Sequence, residues 1–295
     1  MIECVPNLSE GTDRAAIEGI ADAVAASGCH MLDLHIDADH NRSVVTFVGD
    51  EDSLYGGAIA LAREAAARID LREHRGVHPR MGAVDVIPFV PLSNSTMSAS
   101  IRLARKVGST IGEDLGIPVF LYEAAATCEL RRNLATIRKG GFEGLGEKLA
   151  RDEWIPDFGP RAPHRTAGAV AVGARDFLVA FNVVLATGEL SVARRIAASI
   201  RAADGGLAGV KALGLPLAGR GLVQVSMNLT DIEATDVPRA YARVEREAAS
   251  AGVSIVESEI VGLVPRAAVL EATTSSLRLD RDLESVVLEN RIASR

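Results

Sequence analysis

Apolar residues recur along the chain with two alternating periods, short strand-like runs and longer 3.6-residue stripes, a signature of α/β or α+β proteins. The run "MIECVPN" reads as a first strand. A helix follows from about Asp13, where Thr12 and Asp13 supply an N-cap, to Ser27, and Gly28 stands where a C-cap glycine belongs. "CHMLDLHID" and "RSVVTFVGD" read as strands, Glu51 to about Ala67 as an Ala-rich helix, and "AVDVIPFVP" as a strand. Pro88 cannot donate to a ladder, which predicts an edge position or a bulge for that last strand. Thr96 to Leu115 is a second long helix, "IPVFLYEAA" a buried strand, and Glu129 to Arg138 a shorter helix.

The pattern breaks at residues 140–168, "GGFEGLGEKLARDEWIPDFGPRAPHRTAG", which hold several Gly and Pro and the one Trp. The main boundary falls here, dividing the chain into 1–167 and 168–295. Trp154 and Phe158 argue against a solvated linker and for an ordered loop that crosses between domains and lines a site. The second half reads strand (169–174), strand (177–185), helix (191–202), strand (210–217), strand (223–229), helix (238–251), strand (253–261) and helix (265–273). From its second strand onward this is β-α-β-β-α-β, the order of a ferredoxin-like unit. The expected fold is therefore α/β (α+β) with two subdomains, an N-terminal mixed-sheet α/β one and a C-terminal ferredoxin-like one. The charged, amphipathic "SSLRLDRDLESVVLENRIASR" is expected to form a peripheral helix or an interface.

Composition narrows the function. A net charge of −7 and 4% aromatic residues argue against a nucleic-acid partner, which wants a basic face and stacking platforms. No apolar run approaches the roughly 18 residues that span a bilayer, and no leader pattern opens the chain, so neither membrane nor export is expected. Cys4, Cys29 and Cys128 are odd in number and scattered, which suits reduced thiols in a cytoplasmic protein.

Two polar clusters interrupt the apolar pattern. In "HRGVHPRMGAVDV" (74–86), His74 and His78 are four apart, but Gly76 and Pro79 remove the helix that a two-histidine metal site would use. His78 between Arg75 and Arg80 instead suits proton transfer on an anionic substrate. "HIDADHN" followed by Arg42 gathers His35, Asp37, Asp39, His40 and Asn41 in one loop, which reads as a polar hairpin, a substrate site or a divalent-ion site. In the second half Asn182, and Gln224, Ser226 and Asn228 on one face of a strand, offer donors and acceptors beside Glu257 and Glu259. No Walker, GxSxG or GxGxxG motif occurs.

These segments resemble the formiminotransferase family over nearly the whole chain and in order: "ECVPNLSEG", "DHNRSVVTFVG", "HRGVHPRMGAVDVIPFVP", "IPVFLYEAA", "WIPDFGP", "VGARDFLVAFNVVL", "VQVSMNLTD" and "SEIVGLVP". The resemblance implies two subdomains with a folate cleft between them, a homodimer, tetrahydrofolate as co-substrate, and transfer of a formimino group from N-formimino-L-glutamate to N5 of tetrahydrofolate. No metal is expected. It also implies that His78, in "HPRMG", is the catalytic histidine and that the folate loop runs from Gly159 to Gly168 with Pro160, Arg161, His164 and Arg165. Arg42, Arg80 and Arg165 are candidates for clamping carboxylates, and Asn41, Asn182 and Gln224 for orienting pterin or amidine. His35, Val77 and Val184 depart from the family's Asp, Glu and Asn. Formyl transfer between 5-formyltetrahydrofolate and glutamate, a repurposed folate-binding homologue, and a metal-dependent hydrolase of formimino compounds are the alternatives. No cyclodeaminase domain is expected.

Overall fold

The computed structural model describes residues 1–76 and 79–294. It forms two compact units, Met1–Asp176 and Phe177–Arg295. The first runs β1 (Ile2–Cys4), β2 (Asn7–Leu8), α1 (Arg14–Ala25), β3 (His30–Asp37), β4 (Arg42–Gly49), α2 (Glu51–Arg68), β5 (Val84–Pro91), α3 (Met97–Asp114), β6 (Val119–Glu123), α4 (Leu134–Arg138), α5 (Leu145–Leu149) and β7 (Val170–Ala174). The three long helices start on side-chain caps: Asp13 accepts from Ala16 N–H, Asp50 from Ser53 N–H and Thr96 from Ala99 N–H.

These strands make one mixed sheet. The hairpin β3–β4 pairs antiparallel, β1 and β2 fill the place between β4 and β5, and β5, β7 and β6 run parallel. Because β7 lies between β5 and β6, the chain divides at 176/177, where the sequence reading divides it at 167/168. β5 is not an edge strand, the first of the two placements expected from Pro88, but its pairing with β2 carries the second, a register shift between Asn7 and Leu8. The Pro88 carbonyl accepts from Val5 N–H at 3.3 Å, in the gap between β1 and β2, and the proline nitrogen faces the same gap. The ladder interruption that proline demands is thus made in the partner run.

One sheet face buries Phe47, Ile87 and Val172 under Ile20, Leu54, Leu61, Leu103 and Val107 of α1, α2 and α3. On the other face Val86, Phe120 and Ala171 pack with Met81, Ile137, Leu145, Leu149 and Trp154. Trp154 meets Phe120 edge-on at 5.9 Å between ring centroids. Much of the aperiodic segment is therefore a cover for the first sheet, and its apolar residues are spaced by that surface rather than by a helix.

The second unit runs β8 (Val179–Leu185), α6 (Leu190–Ile200), β9 (Val210–Leu217), β10 (Leu222–Leu229), α7 (Val237–Ser250), β11 (Ile255–Val261), α8 (Leu283–Val286) and α9 (Leu288–Ala293). Its sheet is antiparallel in the order β11-β8-β10-β9. Phe181, Val183, Val225 and Met227 pack beneath Ile196 of α6 and Val244 of α7. The helix expected at 265–273 is a single 3₁₀ turn, Arg266–Val269, and the charged C-terminal run buries Leu283, Val286 and Val287 in this core. Among the described residues no helix is long and apolar enough to cross a membrane.

Lys148 in the cover segment is 6% exposed. Its Nζ donates to the carbonyls of Thr136 and Ile137 at the end of α4 and lies 4.4 Å over the Trp154 ring. Burial, helped by Arg151 and Lys139, pushes its pKa down to about 8. Between that value and the ordinary lysine range of about 10.4, the unfolded chain keeps a proton that the folded chain has lost, so this group's contribution to stability rises with pH. Burial raises Cys29 to about 11 and Tyr122 to about 12, and these groups act in the opposite sense. The clean readout is therefore the difference between wild type and Lys148→Met in urea melts. It should shift in favour of wild type by about 2 kcal/mol between pH 7 and pH 10, whereas a pH-independent difference contradicts this reading.

Candidate active site

Ahead of β5 the backbone of residues 80–83 has its polar groups satisfied from four parts of the unit. Phe142 N–H donates to the Arg80 carbonyl at 3.0 Å, and Ala169 N–H to the Met81 carbonyl at 3.0 Å. Met81 N–H donates to Asp85 Oδ1 at 2.8 Å. Ser9 donates through Oγ to the Gly82 carbonyl at 2.7 Å and through its N–H to the Ala83 carbonyl at 2.9 Å, while Ala83 N–H reaches the Ala167 carbonyl at 3.0 Å. Asp85, 3% exposed, pairs through its other oxygen with the Arg138 guanidinium. Gly168 is required where it stands: its φ is +68°, and a Cβ there would lie 2.1 Å from the Met81 carbonyl oxygen.

The two polar clusters of the sequence meet beside this segment. Asn41, at the tip of the β3–β4 hairpin, has φ +49°, a conformation asparagine tolerates. Its Oδ1 accepts from Gly11 N–H at 2.8 Å and its Nδ2 donates to the Arg75 carbonyl at 2.8 Å. Its own carbonyl lies 2.9 Å from His74 Nε2. On the other side of that ring Arg80 Nε donates to His74 Nδ1 at 3.0 Å. Gly76 passes so close that a Cβ would lie 2.7 Å from the His40 carbonyl oxygen.

Asp37 accepts from His40 N–H at 2.9 Å and from its ring Nδ1 at 2.5 Å. Burial raises the Asp37 carboxyl, but the His40 bonds outweigh it and hold the group below the usual carboxylate range. His35 lies on β3, buried, opposite Val44. Arg42 donates to the Asn7 side chain. Arg80 grips Glu143 with both terminal nitrogens, at 3.1 and 2.8 Å, and this contact holds the Glu143 carboxyl below its ordinary range. With Nε on His74, that guanidinium is already engaged on both its edges, so an open carboxylate clamp at Arg80 is not what the structure contains.

The 157–168 segment is anchored at both ends. Asp157 accepts from Leu121 N–H at 2.8 Å and pairs with Arg131 at 2.7 Å, both side chains nearly buried. Gly159, at φ +82°, turns the chain away from β6, and Pro160 is exposed. Arg161 donates to the Leu149 and Ala150 carbonyls, each at 2.8 Å, and so caps α5. His164 and Gly168 exchange backbone hydrogen bonds at 2.9 and 3.0 Å, and His164 Nδ1 accepts from Ala167 N–H at 3.0 Å. Leu71 N–H donates to the Thr166 carbonyl at 3.0 Å, which joins this turn to the segment leading into His74. Arg165 at the turn's tip is exposed and has no hydrogen bond among the described residues.

In the second unit Asn182 of β8 faces Ser226 of β10 on one side and Glu259 of β11 on the other. Its Nδ2 donates to Glu259 Oε2 at 3.0 Å. Gln224, Ser226 and Asn228 share the face opposite the α6 and α7 core, and Gln224 stands beside Val184. His78 and Val77 lie outside the described residues.

The sequence reading missed Ser9, Asp85, Arg138 and Glu143. Asp85 carried a signal, being the one charge in the apolar run "AVDVIPFVP".

The family model for the formiminotransferase domain, N-terminal subdomain, matches residues 1–175, and that for the formiminotransferase domain matches 180–292. The chain belongs to the formiminotransferase family. It is 48% identical to the glutamate formimidoyltransferase of Thermoplasma acidophilum over 99% of this chain and 97% of that protein. It is 44% identical to the glutamate formimidoyltransferase of Streptococcus pyogenes, over 99% and 98% respectively. A formimidoyltransferase-cyclodeaminase of Gallus gallus is 43% identical over 95% of this chain and 53% of its own length. This formiminotransferase is accordingly an enzyme, a formimidoyl transferase, and the two family matches meet near the division between its compact units.

Asp85→Asn should lower stability by about 3 kcal/mol in urea melts, because it leaves the Arg138 guanidinium buried without its countercharge. Adding Arg138→Met should recover more than half of that loss; additive losses would show that the two side chains act independently.

Proposed function

We propose that this enzyme transfers the formimino group of N-formimino-L-glutamate to N5 of tetrahydrofolate, as in histidine degradation, with His78 as general acid and base. The observation that carries the reading is the single hydrogen-bonded network that joins the hairpin tip at Asn41, the segment flanking His78 and the 164–168 turn. The relatives named for glutamate and formimidoyl transfer, matched over nearly their whole length, supply the reaction class.

In this reaction N5 attacks the amidine carbon, so an N5–C bond forms and N5 loses its proton. The tetrahedral intermediate then breaks its bond to the glutamate nitrogen, which leaves with a proton. On this reading one histidine takes the first proton and returns it to the leaving amine. Such a group contributes about 10²- to 10⁴-fold, and alignment of the two substrates supplies much of the rest. Arg165 is our choice for the carboxylates of folate, since its guanidinium is exposed and makes no hydrogen bond among the described residues. Asn182 and Gln224 would orient the pterin or the amidine. The enzyme works as a homodimer in the cytoplasm on this reading, a compartment that suits the buried free thiols Cys4 and Cys29.

Incubation with tetrahydrofolate and N-formimino-L-glutamate should yield 5-formiminotetrahydrofolate and glutamate. Absence of that product, or turnover only with 5-formyltetrahydrofolate and glutamate, sinks the proposal. His78→Ala should fold normally and lose at least about a hundredfold in kcat; near-normal turnover removes His78 from the mechanism. Arg165→Ala should raise KM for tetrahydrofolate by about tenfold with little change in kcat.

A further inference from the structure

His74 is 7% exposed, and both its ring nitrogens are engaged. Arg80 Nε–H can only donate, so His74 Nδ1 must be the acceptor. Nε2 then carries the proton and donates it to the Asn41 carbonyl at 2.9 Å. The ring is thus a neutral imidazole in one tautomer, with no free nitrogen for proton transfer in the reaction. Its two partners define what it does instead. Residues 74 and 80 stand at the two ends of "HRGVHPR" in the sequence, and a side-chain hydrogen bond links them directly.

From this geometry we infer that His74 is a positioning residue for His78: the His74–Arg80 clasp ties together the described residues on either side of 77–78 and joins them to the hairpin at Asn41. The inference rests on the reading of His78 as the acid/base. Around the clasp the parts are fitted tightly. A Cβ on Gly76 would stand 3.0 Å from His74 Cε1, and Glu143 holds the outer edge of the Arg80 guanidinium with two hydrogen bonds. Arg80 is therefore held from both edges, and its backbone carbonyl is held by Phe142 N–H. Displacing a general base by about 1 Å can cost on the order of a hundredfold in rate, so a clasp between the residues on either side of it reaches catalysis without touching substrate.

Two substitutions separate this role from mere packing. In His74→Gln the side-chain carbonyl can accept from Arg80 Nε while the amide donates to the Asn41 carbonyl, so both clasp bonds survive. In His74→Leu the volume remains and both bonds are lost. His74→Leu should lose about a hundredfold in kcat with KM for both substrates within about threefold of wild type, and His74→Gln should recover to within about tenfold. Circular dichroism and thermal melts confirm that both variants are folded. Ring ¹⁵N shifts of histidine-labelled wild type give a readout independent of turnover. The His74 resonances, assigned by their loss in His74→Gln, should show a pyridine-type Nδ1 and a protonated Nε2.

Equal kcat in His74→Leu and wild type, equal losses in the two variants, or a protonated Nδ1 overturns the clasp while leaving the transfer reaction standing. A wild-type enzyme that makes no 5-formimino product with the predicted tautomer present overturns the reading of the reaction, and the positioning role with it.

Discussion

The structure depends on the backbone of residues 80–83 being held in a conformation that is not yet a strand. A buried N–H or C=O without a partner costs about 1–3 kcal/mol, so a segment that leaves the ladder pattern inside a core must find partners elsewhere. Here they come from Ser9 near the chain start, Asp85 at the beginning of β5, Phe142 in the cover segment, and Ala167 and Ala169 before β7. The buried Asp85 side chain is paired with the Arg138 guanidinium, so it does not lie in the interior without a partner. A loop anchored this way keeps its shape while its neighbours bind and release substrates, which is what proton transfer at fixed geometry requires.

The same economy governs the arginines. A guanidinium has five donors and binds wherever planar acceptors converge, and in this fold most of those acceptors are internal. Arg161 caps the α5 carbonyls, Arg131 holds Asp157, Arg138 holds Asp85, and Arg80 joins His74 to Glu143. The charges of these four arginines are thus engaged within the protein, where they pre-shape the loops. Arg165, at the tip of a turn pinned by His164, Thr166 and Gly168, is the contrast.

Much of this was visible in the sequence. The helix start at Asp13 was marked by its capping residue, the other long helices by their 3.6-residue period, and the strands by their apolar runs. The order β-α-β-β-α-β of the second unit followed from period alone. What could not be read was pairing across distance. Nothing local tells that β7 inserts between β5 and β6, that the break at Val5–Pro6 accommodates Pro88 in a central strand, or that residues 134–154 cover a sheet face. The clusters at 35–42 and 74–80 were each recognised as polar and dense, yet their union through Asn41 and His74 joins residues more than thirty positions apart. The partners of Arg80 and Arg161, Glu143 and two helix carbonyls, are likewise invisible in their own sequence neighbourhoods.

Amide hydrogen exchange at Met81, Ala83 and Ala169 probes the anchoring of this segment directly, since all three N–H groups donate within it. Protection comparable to that of β5 and β7, in a region whose sequence reads as a turn, is the expected result. Exchange at these amides as fast as at the exposed Arg72 and Glu73, with β5 itself still protected, would mean that Ser9, Asp85 and the 167–169 backbone do not hold the segment, and the account of the site would fail with it.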